Sequence, residues 1–347
     1  MRQWFLSVMT LPAMAIWSPV WSQQSVPGIV RSEFIYTPGS VPSVHASTIS
    51  ETEDGLIAAW FGGTNEGNRD VVIWASRFTG SVWGAPVEIA NGVQPDGTRY
   101  PCWNPVLFAA SDTLLTLYYK VGPEPQLWWG MVKSSRDGGR TWSDARRLPD
   151  GILGPIKNKP VRLADGTIIS GSSTESHESN SKWRIHFELS EDDGRTWRVV
   201  RPAPTSLEID AIQPSILVHS PTRLQALGRS RHERMFETWS EDAGRTWSPV
   251  VLSPGLYNPN AGTDAVTLRD GRHLLVHNNT PRGRTPLNVS VSLDGRVWVL
   301  RPLETDPGEY SYPAVIQTRD GLVHITYTWR RERIRHVVID PALLGPR

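Results

Sequence analysis

The chain has 347 residues, 36 Lys and Arg against 35 Asp and Glu, a formal net charge of +1 and a single cysteine. Near-neutral charge with arginines spread along the chain excludes the basic stripe of a nucleic-acid-binding protein. The lone Cys102 excludes an internal disulfide, and its expected role is buried packing, so cohesion must come from packing alone.

The N-terminus reads as a secretory signal: a basic start at Met1-Arg2, an apolar run from Trp4 to Trp17, and the small residue Ser22 before Gln23. The run is interrupted by Pro12 and Pro19 and falls short of the roughly 20 apolar residues a membrane span needs. Cleavage near Ser22 is expected, giving a secreted or periplasmic protein with no membrane partner afterwards. Residues 23–347 are expected to form one domain, because the repeats described next leave no linker.

Six segments with a common shape follow at intervals of roughly 50 residues, a period typical of stacked supersecondary units. They begin at His45-Ala46-Ser47-Thr48, Asn104-Pro105, Lys159-Pro160, Gln213-Pro214, Asp264-Ala265 and Tyr312-Pro313. Proline is tolerated in a sheet at a strand's first residue, so each Pro, or the Ala in its place, marks an opening strand. Between them stand four copies of Ser-x-Asp-x-Gly-x-x-Trp, at Ser135, Ser190, Ser240 and, one residue shorter, Ser292; a worn copy lies at Ser76-Gly80-Trp83. In each, Asp suits a turn by accepting backbone N–H bonds, Gly supplies a positive φ, and Trp is expected to cover the hairpin. The predicted fold is all-β, a six-bladed propeller.

In a propeller the opening strand of each blade lines the central channel. The residues at those openings, His45, Asn104, Lys159, Gln213, Asp264 and Tyr312, are six different polar types at one equivalent position. Structural repeats reuse one residue at such a position, so this diversity points to an asymmetric ligand. Second strands return to the same mouth and deliver Arg229 from Leu227-Gly228-Arg229. The loop Gly62–Asp70, rich in Gly and Asn, offers Asp70 as a carboxylate over the ligand, with a turn cap as the alternative role. No metal-ligand spacing is present, and no cofactor is required.

These boxes and openings resemble the sialidase-like superfamily of Asp-box propeller glycosidases over almost all of the sequence after the signal. The resemblance implies Tyr312 as nucleophile, Asp70 as acid/base, and Arg229 and Arg284 as two members of an arginine triad. The first arginine of that triad is replaced by His45, and the Glu that polarises the Tyr is replaced by Gln213. A sugar other than sialic acid is therefore implied, acidic or deoxy, bound exo-fashion, with Lys159, Gln213, Asn104 and Asp264 around it. A His/Arg/Arg set is expected to hold an anion with pH dependence near the histidine pKa of about 6.5. Two other readings stay open. A polysaccharide lyase would use His45, Tyr312 and arginine neutralisers on a uronate, and a non-catalytic propeller would only bind glycan.

Overall fold

A computed structural model describes residues 26–37, 39, 41–111, 113–177 and 181–346; the expected signal segment lies outside the described residues. The described strands form six antiparallel sheets, one per blade of a propeller. The innermost strands are Ser43–Thr52, Cys102–Ser111, Val161–Arg162, Ala211–Val218, Asp264–Thr267 and Tyr310–Gln317. Each begins within two residues of, or just before, a predicted opening, so the Pro and Ala markers locate the channel-lining strands. In the last blade the outermost strand is Ile29–Phe34, which pairs with Arg333–Ile339 and joins the two ends of the chain in one sheet. That pairing closes the ring.

The box turns form as their chemistry dictates. In the copy at Ser190, Asp192 Oδ1 accepts from the backbone N–H of Arg195 and Thr196, Thr196 Oγ1 donates to Oδ2, and Ser190 Oγ accepts from Gly194 N at 2.7 Å. Glycine is obligatory for two reasons at Gly244: φ is +81°, and an added Cβ would lie 2.6 Å from Ile169 Cδ1 of the neighbouring blade.

The Trp of the box does more than cover its own hairpin, because it packs on the preceding blade. Trp247 stacks on Phe187 with ring centroids 3.8 Å apart, Trp197 meets Tyr118 edge-on, and Trp298 joins the cluster containing Leu217. The worn copy does the same across the closure, where Trp83 meets His336 of the last blade edge-on at 5.2 Å. Cys102 is fully buried in the cluster joining the first two blades, and burial pushes its thiol pKa up.

Four openings carry a β-bulge, with register shifts between His45 and Thr48, Trp103 and Val106, Ile212 and Ser215, and Ser311 and Ala314. The first bulged residue takes a left-handed φ: 55° at Ala46, 35° at Asn104, 60° at Gln213 and 51° at Tyr312. Such a kink re-aims the side chain out of the sheet. It also corrects the alignment of the first blade, since the position equivalent to Tyr312 is Ala46 and not His45.

Trp247→Ala is expected to destabilise the protein by about 3–5 kcal/mol, measured as a fall in the denaturant midpoint. The box carboxylates supply an acid limb as well, because hydrogen bonds from Thr196 hold Asp192 down to about 2 from its usual 3.8. A depressed folded pKa gives stability that is present above the unfolded value and lost as pH falls through the folded one. The urea midpoint should fall between about pH 4 and pH 2, and less steeply in Asp192→Asn.

Candidate functional site

Tyr312 stands at the start of the innermost strand of the last blade, Tyr310–Gln317, 7% exposed. Its hydroxyl oxygen accepts a hydrogen bond from Arg229 Nη1 at 2.5 Å and a weaker one from Gln213 Nε2 at 3.4 Å. Three cations surround the ring: Arg284 and Arg229 with guanidinium carbons 5.7 and 5.9 Å from its centroid, and Lys157 Nζ at 5.8 Å. Negative charge developing on the phenol oxygen is therefore opposed by fixed positive charge in a site largely closed to water.

The fourth blade supplies two of these groups because Arg229 ends its second strand, Leu224–Ser230, opposite Ile212 in the register, one residue before Gln213. Arg229 is held from behind as well, with Nε donating to Asn260 Oδ1 at 2.7 Å and the guanidinium over the Trp183 ring. Arg284 reaches in from the loop before Leu287–Ser292. Its Nη1 donates to Glu309 Oε1 at 2.6 Å and to Ser311 Oγ.

A third guanidinium, absent from the sequence-based set, completes the cluster. Arg331 stands in the turn after the second strand of the last blade with φ 61°, and its carbonyl accepts from Val44 N of the first blade. Its Nε shares Glu309 Oε1 with Arg284 at 2.8 Å, and its Nη1 pairs with Glu66 at 2.5 Å. Burial would raise the Glu309 pKa, but Arg331 and Arg284 outweigh it and hold the carboxylate ionised. Three guanidiniums thus face two carboxylates, which leaves net positive charge for an anionic ligand.

His45 lies beneath Tyr312, ring centroids 4.0 Å apart, 1% exposed, with Nδ1 in a hydrogen bond to Thr328 Oγ1. Burial pushes its pKa well below 6.5, and Arg331, Arg284, Arg229 and Lys157 push it further. The expectation that His45 serves as a cation in an anion clamp is corrected here: it is a neutral packing partner, and Arg331 carries the charge.

Two more assignments change. Asp264 is 2% exposed and its carboxylate is filled by Ala265 N, Val315 N, Ser215 Oγ and Lys159 Nζ at 2.8 to 3.2 Å. Lys159 lines a cavity of about 340 Å3 together with Thr52, Ser111 and Gln317, at the far ends of the innermost strands. This ion pair joins the third and fifth blades, and through it Lys159 turns to the far ends of the innermost strands and not to the Tyr312 ring. The lysine near Tyr312 is Lys157, two residues earlier. Its Nζ donates to Pro313 O, Asn158 Oδ1 and Thr263 O, three acceptors for the three N–H bonds of an ammonium, while burial pulls its pKa down to about 7.

Asn104 occupies the equivalent opening with its side chain buried and no hydrogen bond among the described residues. Gln213 Oε1, directly beside Tyr312, is likewise buried without a partner. Asp70 keeps its loop place, but Thr64 N and Thr64 Oγ1 donate to Oδ2 at 2.8 and 2.5 Å and hold the carboxyl below its usual range. From that loop it is Glu66 that reaches the arginines. Among the described residues no group of three His, Cys, Asp or Glu is placed to hold a metal.

Comparison with known proteins fits this geometry. The model of the BNR repeat-like domain matches residues 54–325. The chain belongs to that family. A search of curated proteins finds no match. Among solved structures, a protein of unknown function from Dyadobacter fermentans superposes with a TM-score of 0.75 at 18% identity, covering 90% of this chain and 99% of that one. The NanB sialidase from Streptococcus pneumoniae superposes at 0.68 and 11% identity, covering 90% and 71%. The intramolecular trans-sialidase from Ruminococcus gnavus does so at 0.69 and 12%, covering 92% and 100%. Identities this low establish the shared propeller and not a shared reaction.

The neutrality of His45 is directly measurable. Its ring nitrogens should keep the shifts of an unprotonated imidazole by 15N NMR through the interval around pH 6.5 in which an exposed histidine titrates.

Proposed function

We propose that this protein is an exo-acting glycoside hydrolase that removes a terminal acidic sugar from a glycan, with Tyr312 attacking the anomeric carbon. The observation that carries this reading is the placement of Arg229 and Arg284 around one tyrosine whose hydroxyl already accepts a 2.5 Å bond from Arg229, with Arg331 joined to Arg284 through Glu309. Guanidinium forks match the planar, two-oxygen geometry of a carboxylate, so the sugar they select is one bearing that group. A deoxy sugar without charge would leave the net positive charge unmatched.

The exo mode is supported by the burial of the groups behind Tyr312: Lys157, 3% exposed, and His45, 1% exposed, pack against its ring and leave that side filled, which suits a chain end better than the middle of a chain. Tyrosine nucleophiles are a recognised exception to the carboxylate pair of most glycosidases, and they spare an anionic substrate from approaching a carboxylate nucleophile. Gln213 fits the same logic, since it places an amide rather than a charge next to the phenol. The leader-like residues 1–22 support export to the periplasm or beyond.

Aryl glycosides of sialic and uronic acids test the reading. Release of aglycone is expected with at least one of them, and Tyr312→Phe should lower kcat by about 10^3-fold or more. Arg331→Ala removes charge-assisted hydrogen bonds worth about 1.5–3 kcal/mol and should raise KM about 10- to 100-fold. Growth of ultraviolet absorbance from an unsaturated uronate, with no hydrolysis, would replace the hydrolase with a lyase. Glycan binding without turnover would leave a binding propeller.

A further inference from the structure

A further carboxyl stands near this site on a second strand, the element that the sequence already directs to this mouth. The second strand of the third blade, Ile168–Glu175, ends at the same mouth as Arg229. Successive side chains of a strand alternate between faces, so Ser173 and Glu175 share one. Ser173 Oγ accepts from Gln213 N at 3.3 Å, which turns that face toward the fourth blade and the Tyr312 cluster.

One step further out, Glu175 Oε2 accepts from Trp183 Nε1 at 3.0 Å, and its Oε1 makes no hydrogen bond among the described residues. The same Trp183 ring lies under Arg229 at 4.8 Å and under Arg231 at 3.9 Å. Arg229 is the residue that holds the Tyr312 hydroxyl. Tyr312 and Glu175 therefore flank one guanidinium, with a carboxyl oxygen of Glu175 unclaimed.

We propose that Glu175, and not Asp70, is the general acid that protonates the leaving oxygen in the hydrolase reaction inferred above. This inference rests on that reading. In the first step the phenolate of Tyr312, its proton passed to solvent water, forms a bond to the anomeric carbon. The bond from that carbon to the leaving oxygen breaks, and the proton of Glu175 moves to the leaving oxygen. In the second step a water attacks the anomeric carbon, Glu175 takes the proton of that water, and the phenolate of Tyr312 departs and regains its proton from solvent water. The sum is one glycoside and one water giving two alcohols, with both residues restored.

The two carboxyls are set apart by their surroundings. Burial raises the Glu175 pKa, against the opposing pull of Arg229, the Trp183 hydrogen bond and Arg231, whereas Thr64 holds Asp70 low. An acid must arrive protonated and a group with a depressed pKa does not, which is how paired carboxyls divide their roles.

The test is a series of aryl and alkyl glycosides of the hydrolysed acidic sugar, with leaving groups of graded acidity, run on the full protein and on Glu175→Gln and Asp70→Asn. Glu175→Gln should lower kcat/KM about 10^2- to 10^4-fold on poor leaving groups and far less on dinitrophenyl glycosides, which need no proton. It should also abolish the alkaline limb of the pH profile, while Asp70→Asn shows no such dependence on the leaving group. A uniform loss across the series in Glu175→Gln, or the leaving-group dependence appearing in Asp70→Asn instead, would overturn the assignment while leaving the hydrolase intact. Absence of any aglycone from the unaltered protein would overturn the hydrolase and, with it, the role of Glu175.

Discussion

The structure depends on one repeated contact, the packing of each box tryptophan onto the blade before it. Trp247 on Phe187 is the tightest instance, and Trp83 on His336 carries the same contact across the closure. A sheet of four short strands is marginal by itself, so a blade persists only because its neighbours bury its faces. With no disulfide available, that burial and the pairing of Ile29–Phe34 with Arg333–Ile339 carry the ring. The box Asp, Ser and Gly hold the turn that aims the ring of the tryptophan.

A rigid ring in turn allows the channel mouth to hold charges that a looser fold would expel. Burying a cation is costly unless acceptors replace its water. Lys157 has three oxygen acceptors, Arg229 has Asn260 and the Tyr312 hydroxyl, and Glu309 serves Arg284 and Arg331 together. Left-handed openings at Gln213 and Tyr312 add backbone strain at the point where two side chains must face each other. Strain and buried charge meet at Tyr312, where the proposed chemistry takes place.

Much of this was legible in the sequence. The six openings give the blade count, their Pro and Ala markers locate the innermost strands, and Tyr312, Arg229, Arg284 and Gln213 do converge. The first blade was misaligned by one residue because a bulge leaves no mark when the usual Pro is absent: Ala46-Ser47 occupies the place of Tyr312-Pro313. The sequence points to Lys159 alone, since adjacency to Pro160 marks the opening but does not reveal that the lysine turned toward Tyr312 is Lys157. Arg331 and Glu309 were not found because their cluster draws on turns of other blades, Glu309 also holding Arg284 and Arg331 also holding Glu66, 265 positions away in the chain. Glu175 carries no local signal beyond its place at the end of a strand.

The central claim is that Tyr312 bonds covalently to an acidic sugar, and the most direct measurement is to trap that bond. A fluorinated glycosyl fluoride of the hydrolysed acidic sugar, which slows the second step more than the first, would be incubated with the protein and the product analysed by intact mass and peptide mapping. The account predicts one added glycosyl unit on the peptide containing Tyr312. An adduct on a carboxylate instead, or steady turnover of the natural linkage with no adduct at any residue, would contradict it.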